Sequence, residues 1–232
     1  MRARCYCYEE VFAEKVRALA ERARPRDLYD VINLFRHDEL HPAALVIRDA
    51  LSKKCAFKGI AFPALGSLSP LREELEADWI AMLAHQLPAL PPVDAFWGEL
   101  PALFAWLENG RLPAVLAAYP MEPGDVVIRP PAGAMSIPGM ASTAPLEVIR
   151  FAASNRLCVE LDYVDERGSR GTRIIEPYSM RRTPAGDIVL HALRADGTGH
   201  RSYRVDRIRA ARATKQSFKP LYAIELTPMA PS

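Results

Sequence analysis

Two groups of residues have types and spacings that could do chemistry. Near the N-terminus, Lys15 and Arg17 precede Arg26, Asp27 and Asp30. Asp27 and Asp30 are three positions apart, which lets both lie on one helical face. Arg26 has the planar fork that grips a phosphate or carboxylate through paired bonds. The acids and bases could equally form an ion-pair network that locks two antiparallel helices, and both readings stand at this point. The second group is Arg201-Ser202-Tyr203-Arg204 with Arg207, preceded by Arg173, Arg181 and Arg182. In a strand, Arg201 and Tyr203 share one face, and Ser202 and Arg204 share the other. Guanidinium forks beside an aromatic plane suit a phosphate and a stacked base. The competing reading makes Tyr163 and Val205 core residues and pairs Asp206 with Arg204 or Arg207.

Metal chemistry has little support. Cys5 and Cys7 are close, but Cys55, Cys158 and the five histidines are scattered, so no set has metal-ligand spacing. Free thiols in a reducing compartment are expected, with no metal site. His191 and His200 read as surface or hydrogen-bonded residues. The net charge of +2 conceals an asymmetry. Residues 1–144 hold 15 Lys+Arg against 18 Asp+Glu, whereas residues 145–219 hold 15 against 9. The basic excess therefore belongs to the C-terminal segment and fits an anionic ligand or nucleic acid.

The elements that must position these residues fall into two kinds. Apolar residues at helical spacing predict helices over Tyr8–Leu19, Arg26–Phe35, Pro42–Cys55, Leu71–Leu87 and Asp94–Glu108, the last divided or kinked at Pro101. Six prolines and three glycines interrupt residues 120–145, which read as a linker with at most a short strand at Asp125–Arg129. A helix over Leu146–Asn155 follows. Alternation and turn residues then predict strands at Leu157–Val164, Gly171–Glu176, Ile188–Arg194, His200–Val205 and Ile208–Thr214. The expected fold is α+β: a helical domain over 1–119, a linker over 120–144, and a small half-open β barrel over 145–232. No apolar run approaches the ~20 residues of a membrane helix, and no secretory signal is evident. A cytoplasmic protein with no membrane partner is expected.

The segment Tyr8–Phe35, with Ala13-Glu14-Lys15, Arg17-Ala18-Leu19, Arg26-Asp27 and Asp30, resembles the C-terminal motifs of the AbiEii family of nucleotidyltransferase-like toxins. The resemblance extends through Lys53–Pro63 and the Trp79 helix to about residue 110. It implies transfer of a nucleoside monophosphate, with Lys15 on the phosphates and Asp27 or Asp30 facing the same cleft. In this family the metal-binding carboxylates and a Gly-Ser phosphate loop precede these motifs. Met1 stands seven residues before Tyr8, and Gly66-Ser67 has no spaced aspartates after it. Lys15, Asp27 and Asp30 are thus expected to be the remnant of a transferase site that is not active in this chain alone. No cofactor is expected in this chain; Mg2+ and a nucleoside triphosphate enter only if the transferase reading holds.

The segment from Pro145 to about Pro220 resembles the WYL family through Val159–Tyr163, Arg173–Tyr178 and Arg201–Ile208. Ile188-Val189-Leu190 stands where the family has Trp-Tyr-Leu, which removes an aromatic contribution there. The resemblance implies an Sm/SH3-like β barrel that binds a nucleotide or single-stranded nucleic acid and regulates an attached domain. Arg173, Arg181, Arg201, Tyr203, Arg204 and Arg207 are the expected ligand-binding residues. Tyr178 is either a packing residue or a lid. A transcription regulator is disfavoured, because residues 1–144 show no helix-turn-helix and are net acidic. The expected role is ligand sensing within a phage-defence or toxin–antitoxin system, with an antitoxin or another chain as partner. The alternative is an AbiEii-type transferase toxin whose catalytic lobe is supplied in trans or missing.

Overall fold

The computed structural model of the chain describes residues 7–36, 44–110, 114, 116–128 and 145–226. The chain divides into two compact units, Met1–Ala114 and Val115–Ser232. The first is helical: α1 (Tyr8–Arg22), α2 (Pro25–Phe35), α3 (Ala44–Lys58), α4 (Leu65–Leu68), a 3-10 turn (Ser69–Leu71), α5 (Arg72–Leu83), α6 (Val93–Trp97) and α7 (Leu100–Asn109). Helix α1 buries Phe12, Val16 and Leu19, and α2 buries Leu28, Val31, Ile32 and Phe35, as their 3–4 residue spacing requires. Between them Ala23 adopts the left-handed conformation (φ 41°), and its amide closes the end of α1 on the Leu19 carbonyl at 2.9 Å. Pro25 then opens α2, where a missing amide costs nothing. The two helices lie antiparallel, which sets Lys15 opposite Asp27 and Asp30.

Aromatic rings organise this core. Trp106 is fully buried, stacked on Phe12 at 5.8 Å and tilted on Phe35 at 5.5 Å. Trp79 lies 5.6 Å from Phe96, and its indole N–H donates to the Pro91 carbonyl at 2.9 Å. The expected division near Pro101 falls at Gly98-Glu99, and Pro101 sits in the first turn of α7. It starts a helix there; it does not break one. The first residues of the helix expected from Pro42 lie outside the described residues.

The second unit contains β1 (Val126–Val127), α8 (Pro145–Ser154), β2 (Leu157–Val164), β3 (Arg170–Arg182), β4 (Ile188–Arg194), β5 (His200–Arg204), a 3-10 turn (Val205–Arg207) and β6 (Ile208–Ser217). All strand pairs are antiparallel, in the order β5-β4-β3-β2-β6, with β1 on the far half of β3. The closed Sm/SH3-like form of the expected half-open barrel is not shown: among the described residues the sheet does not close, and β5 and β6 are its terminal strands. It is nevertheless strongly curled. Tyr163 on β2 and Tyr203 on β5 lie three strand spacings apart, ~14 Å in a flat sheet, yet their rings meet edge to face at 5.1 Å. β3 runs beyond the expected stop at Glu176, because a register shift between Pro177 and Ser179 absorbs the proline.

Residues 116–119, read from the sequence as the end of the helical domain, and residues 120–128 of the stretch read as a linker are built into the sheet unit, through β1 and through Tyr119, which is buried against Tyr178. The remainder, including the end of the strand expected at Asp125–Arg129, lies outside the described residues. Among the described residues no helix is long and apolar enough to cross a membrane.

Candidate functional site

The N-terminal group does come together. The ammonium of Lys15 donates to Asp30 Oδ2 at 2.6 Å and lies 3.9 Å from Asp27 Oδ1. Asp27 is 1% exposed, and a residue absent from the sequence-derived set, Arg22, holds it through two bonds of 2.7 and 3.0 Å. Its position at the last turn of α1, five residues before Asp27, was the available signal. Arg17 turns elsewhere, onto Glu14 and Glu21 of its own helix, and this doubly acidic setting raises its pKa. Arg26 reaches Gln86 at 2.7 Å. Each charge of the Lys15–Asp27–Asp30 set is thus matched within the two helices, the geometry of an ion-pair lock. Among the described residues no group of His, Cys, Asp and Glu could hold a metal ion.

The C-terminal group separates into three fates. Arg181 is corrected. It is fully buried, and its guanidinium donates to Ser179 Oγ, to the Pro120 and Tyr119 carbonyls at 2.6 and 2.8 Å, and to Glu225. Enclosed in this way, it presents nothing to a ligand. A bulged register puts it on the face opposite Tyr203, which alternation along the sequence could not show. Tyr178 is likewise a core residue: it is fully buried, its hydroxyl donates to Glu176 and accepts from the Leu221 amide, and burial raises its pKa.

Arg204 and Arg207 are surface residues engaged by acids. Arg204 donates to Asp187 at 2.7 Å and to both oxygens of Asp206, and Arg207 pairs with Glu166 at 3.2 Å. The pairing of Asp206 weighed from the sequence is with Arg204.

Arg173, Arg201 and Tyr203 share the concave face. Cross-strand register places Arg201 opposite Ala192, Tyr203 opposite Leu190, and Arg194 opposite Ile175, two residues from Arg173. Tyr203 is 5% exposed, and burial raises the pKa of its phenol, while the positive charges of Arg194, Arg173 and Arg201 act in the other direction. Three arginines thus share a face with one phenol and their charges act on it. Arg173 and Arg201 spend one N–H each on neighbouring carbonyls, Thr172 and His200. Gly171 admits the Arg173 head: a Cβ there would stand 2.6 Å from Nη1. Arg194, bonded to Asp196 at 2.6 Å, was missing from the expected set because its face depends on the β3–β4 register.

A helical unit with paired charges between its first two helices and a curled antiparallel sheet that sets three arginines and a tyrosine on one face are the two parts of this chain. Residues 2–109 match the family model described as nucleotidyl transferase AbiEii toxin, type IV TA system, and residues 145–213 match that of the WYL domain. The chain is thus similar to an AbiEii-type segment over its first part and to a WYL domain over part of its second. A search of curated proteins gave no match. Among solved structures, the proteasome accessory factor B/C (PafBC) of Arthrobacter aurescens is similar at 18% identity, over 35% of this chain and 14% of that one, with a TM-score of 0.28. At that score the likeness supports no inference about this chain.

Proposed function

We propose that this chain is a ligand-sensing regulator within a phage-defence or toxin–antitoxin system, and that its sheet takes a nucleotide or single-stranded nucleic acid. The observation that carries this reading is the cross-strand register that places Arg173, Arg194, Arg201 and Tyr203 on one face of the sheet. A phosphate would meet the guanidinium forks, and a base would rest against the apolar concave face beside the ring. The fusion of a WYL domain to an AbiEii-type segment supports a regulatory setting. It also points to an antitoxin or toxin-lobe chain as partner.

The test is titration of a labelled single-stranded oligonucleotide, and of a mononucleotide in competition, at several salt concentrations. Arg173→Ala/Arg201→Ala should weaken binding and lower the salt slope by ~1.4, at ~0.7 per lost phosphate contact. Arg204→Ala, whose charge is already matched by Asp187 and Asp206, should change the slope little. Unaltered binding in the double variant would remove this face from the proposal.

The matched segment also favours a second reading, an AbiEii-type transferase completed by a lobe supplied in trans. Lys15, Asp27 and Asp30 would then contribute to its cleft, with Mg2+ and a nucleoside triphosphate brought by the complete enzyme. Transfer of radiolabelled nucleotide by this chain, abolished in Lys15→Ala, would favour that reading over the first.

A further inference from the structure

The convex face of the sheet carries a buried polar cluster that the proposed ligand site does not use. His191 on β4 is 6% exposed. Its Nδ1 lies 3.1 Å from Ser202 Oγ on β5, while Nε2 is enclosed without a hydrogen-bond partner among the described residues. Facing Nε2 is Asp125 Oδ2, at 3.7 Å, too far for a hydrogen bond. Asp125 belongs to residues 117–128, an irregular segment laid across the sheet. Tyr119 anchors its start, donating from its hydroxyl to the Ala192 carbonyl at 3.0 Å, and Arg181 holds the Tyr119 and Pro120 carbonyls. At the other end β1 pairs with Arg181 and Arg182, and the Ile128 amide reaches the Met180 carbonyl at 2.7 Å.

We propose that residues 117–128 are a strap docked on the sheet over neutral His191, and that protonation of His191 releases it. The docked ring faces Ser202 from β5, Arg181 from β3, Asp125, Glu122 and Tyr119 from the strap, Glu225 from the C-terminal tail, and His200 across the Tyr119 ring. A proton on Nε2 would enter a dry site beside the buried Arg181 guanidinium. The carboxylates draw the other way, but burial and Arg181 prevail, and the His191 pKa lies below its ordinary value. Release returns the ring to water, where imidazole takes up its proton near pH ~6.5. The docked state thus binds fewer protons than the released state. Docking is fully favoured above about pH 6.5 and weakens as the pH falls toward the depressed value, by up to ~10-fold in the released-to-docked ratio per pH unit.

The experiment is native-state hydrogen exchange on the full chain between about pH 7.5 and about pH 5.5, with each rate divided by its intrinsic value at that pH. The window lies above the ordinary carboxylate range near pH ~4. Protection of the Ile128 amide should fall up to ~10-fold per unit below about pH 6.5, with the β2 amides unchanged. His191→Gln, which keeps a polar side chain but cannot titrate, should abolish the dependence. The ring resonances of His191 in the unaltered chain give a readout free of any substitution. A ring midpoint above about 6.5, protection that is flat or rises on acidification, or an unchanged dependence in His191→Gln would each overturn the proposal.

Discussion

Replacing Arg22 by alanine tests whether the charged group on α1 and α2 is a lock or a reactive centre. Asp27 is 1% exposed, and both its oxygens are held by Arg22, whose own side chain is 47% exposed. Arg22→Ala leaves a buried carboxylate whose nearest remaining cation, Lys15, stands at 3.9 Å. Breaking a buried pair this way costs about 3–5 kcal/mol, and the half-exposed arginine argues for the lower end, ~3 kcal/mol. Asp27→Ala should cost less, ~1–2 kcal/mol, because the freed Arg22 can turn to water and Lys15 keeps Asp30. Lys15→Ala removes a pair whose partners are 30% and 33% exposed and should cost ~0.5 kcal/mol. Urea unfolding followed by tryptophan emission isolates this unit, since Trp79, Trp97 and Trp106 all lie in it. With a slope of ~1.5 kcal/mol per molar, Arg22→Ala should move the midpoint by ~2 M and Lys15→Ala by ~0.3 M. A Lys15 variant as unstable as the Arg22 variant would refute the reasoning, as would an Arg22 variant indistinguishable from the parent.

Two other outcomes follow from burial. Arg181→Ala leaves Glu225, which Ser179 still bonds, without its buried counter-charge and two carbonyls without their donor, so the sheet unit should lose ~3–5 kcal/mol while the tryptophan-monitored transition stays in place, measurable by calorimetry beside fluorescence. Burial pushes the Cys158 thiol up to about 11 and raises that of Cys55, whereas Cys7 is exposed. Iodoacetamide on the folded chain should therefore alkylate Cys7 well before either buried thiol, as peptide mass spectrometry would show; rapid labelling of Cys158 would contradict its placement.

Most helices and strands were legible because burial imposes periodicity: Leu28, Val31, Ile32 and Phe35 announce α2, and alternation announces β2. The pairing of Lys15 with Asp30 was within reach for the same reason, since two helices joined by Ala23, Arg24 and Pro25 can hardly avoid being neighbours. What the chain order concealed was register. The shift at Pro177–Ser179 sends Arg181 inward and so removes it from the candidate site. The β3–β4 pairing brings Arg194 into that site from a position with no distinguishing neighbours. The placement of Tyr119 and Asp125 was hidden for the same reason, because they are buried against β3, β4 and the tail, all remote in sequence.

The docking of residues 117–128 also sets the length of a leash. With this stretch held on the sheet, only a few residues after Ala114 remain to join the helical unit to the other. Freeing it adds about 12 residues, up to ~40 Å at full extension. The local concentration that each unit experiences of the other falls roughly as the −3/2 power of tether length, so every doubling of the leash dilutes the pair about threefold.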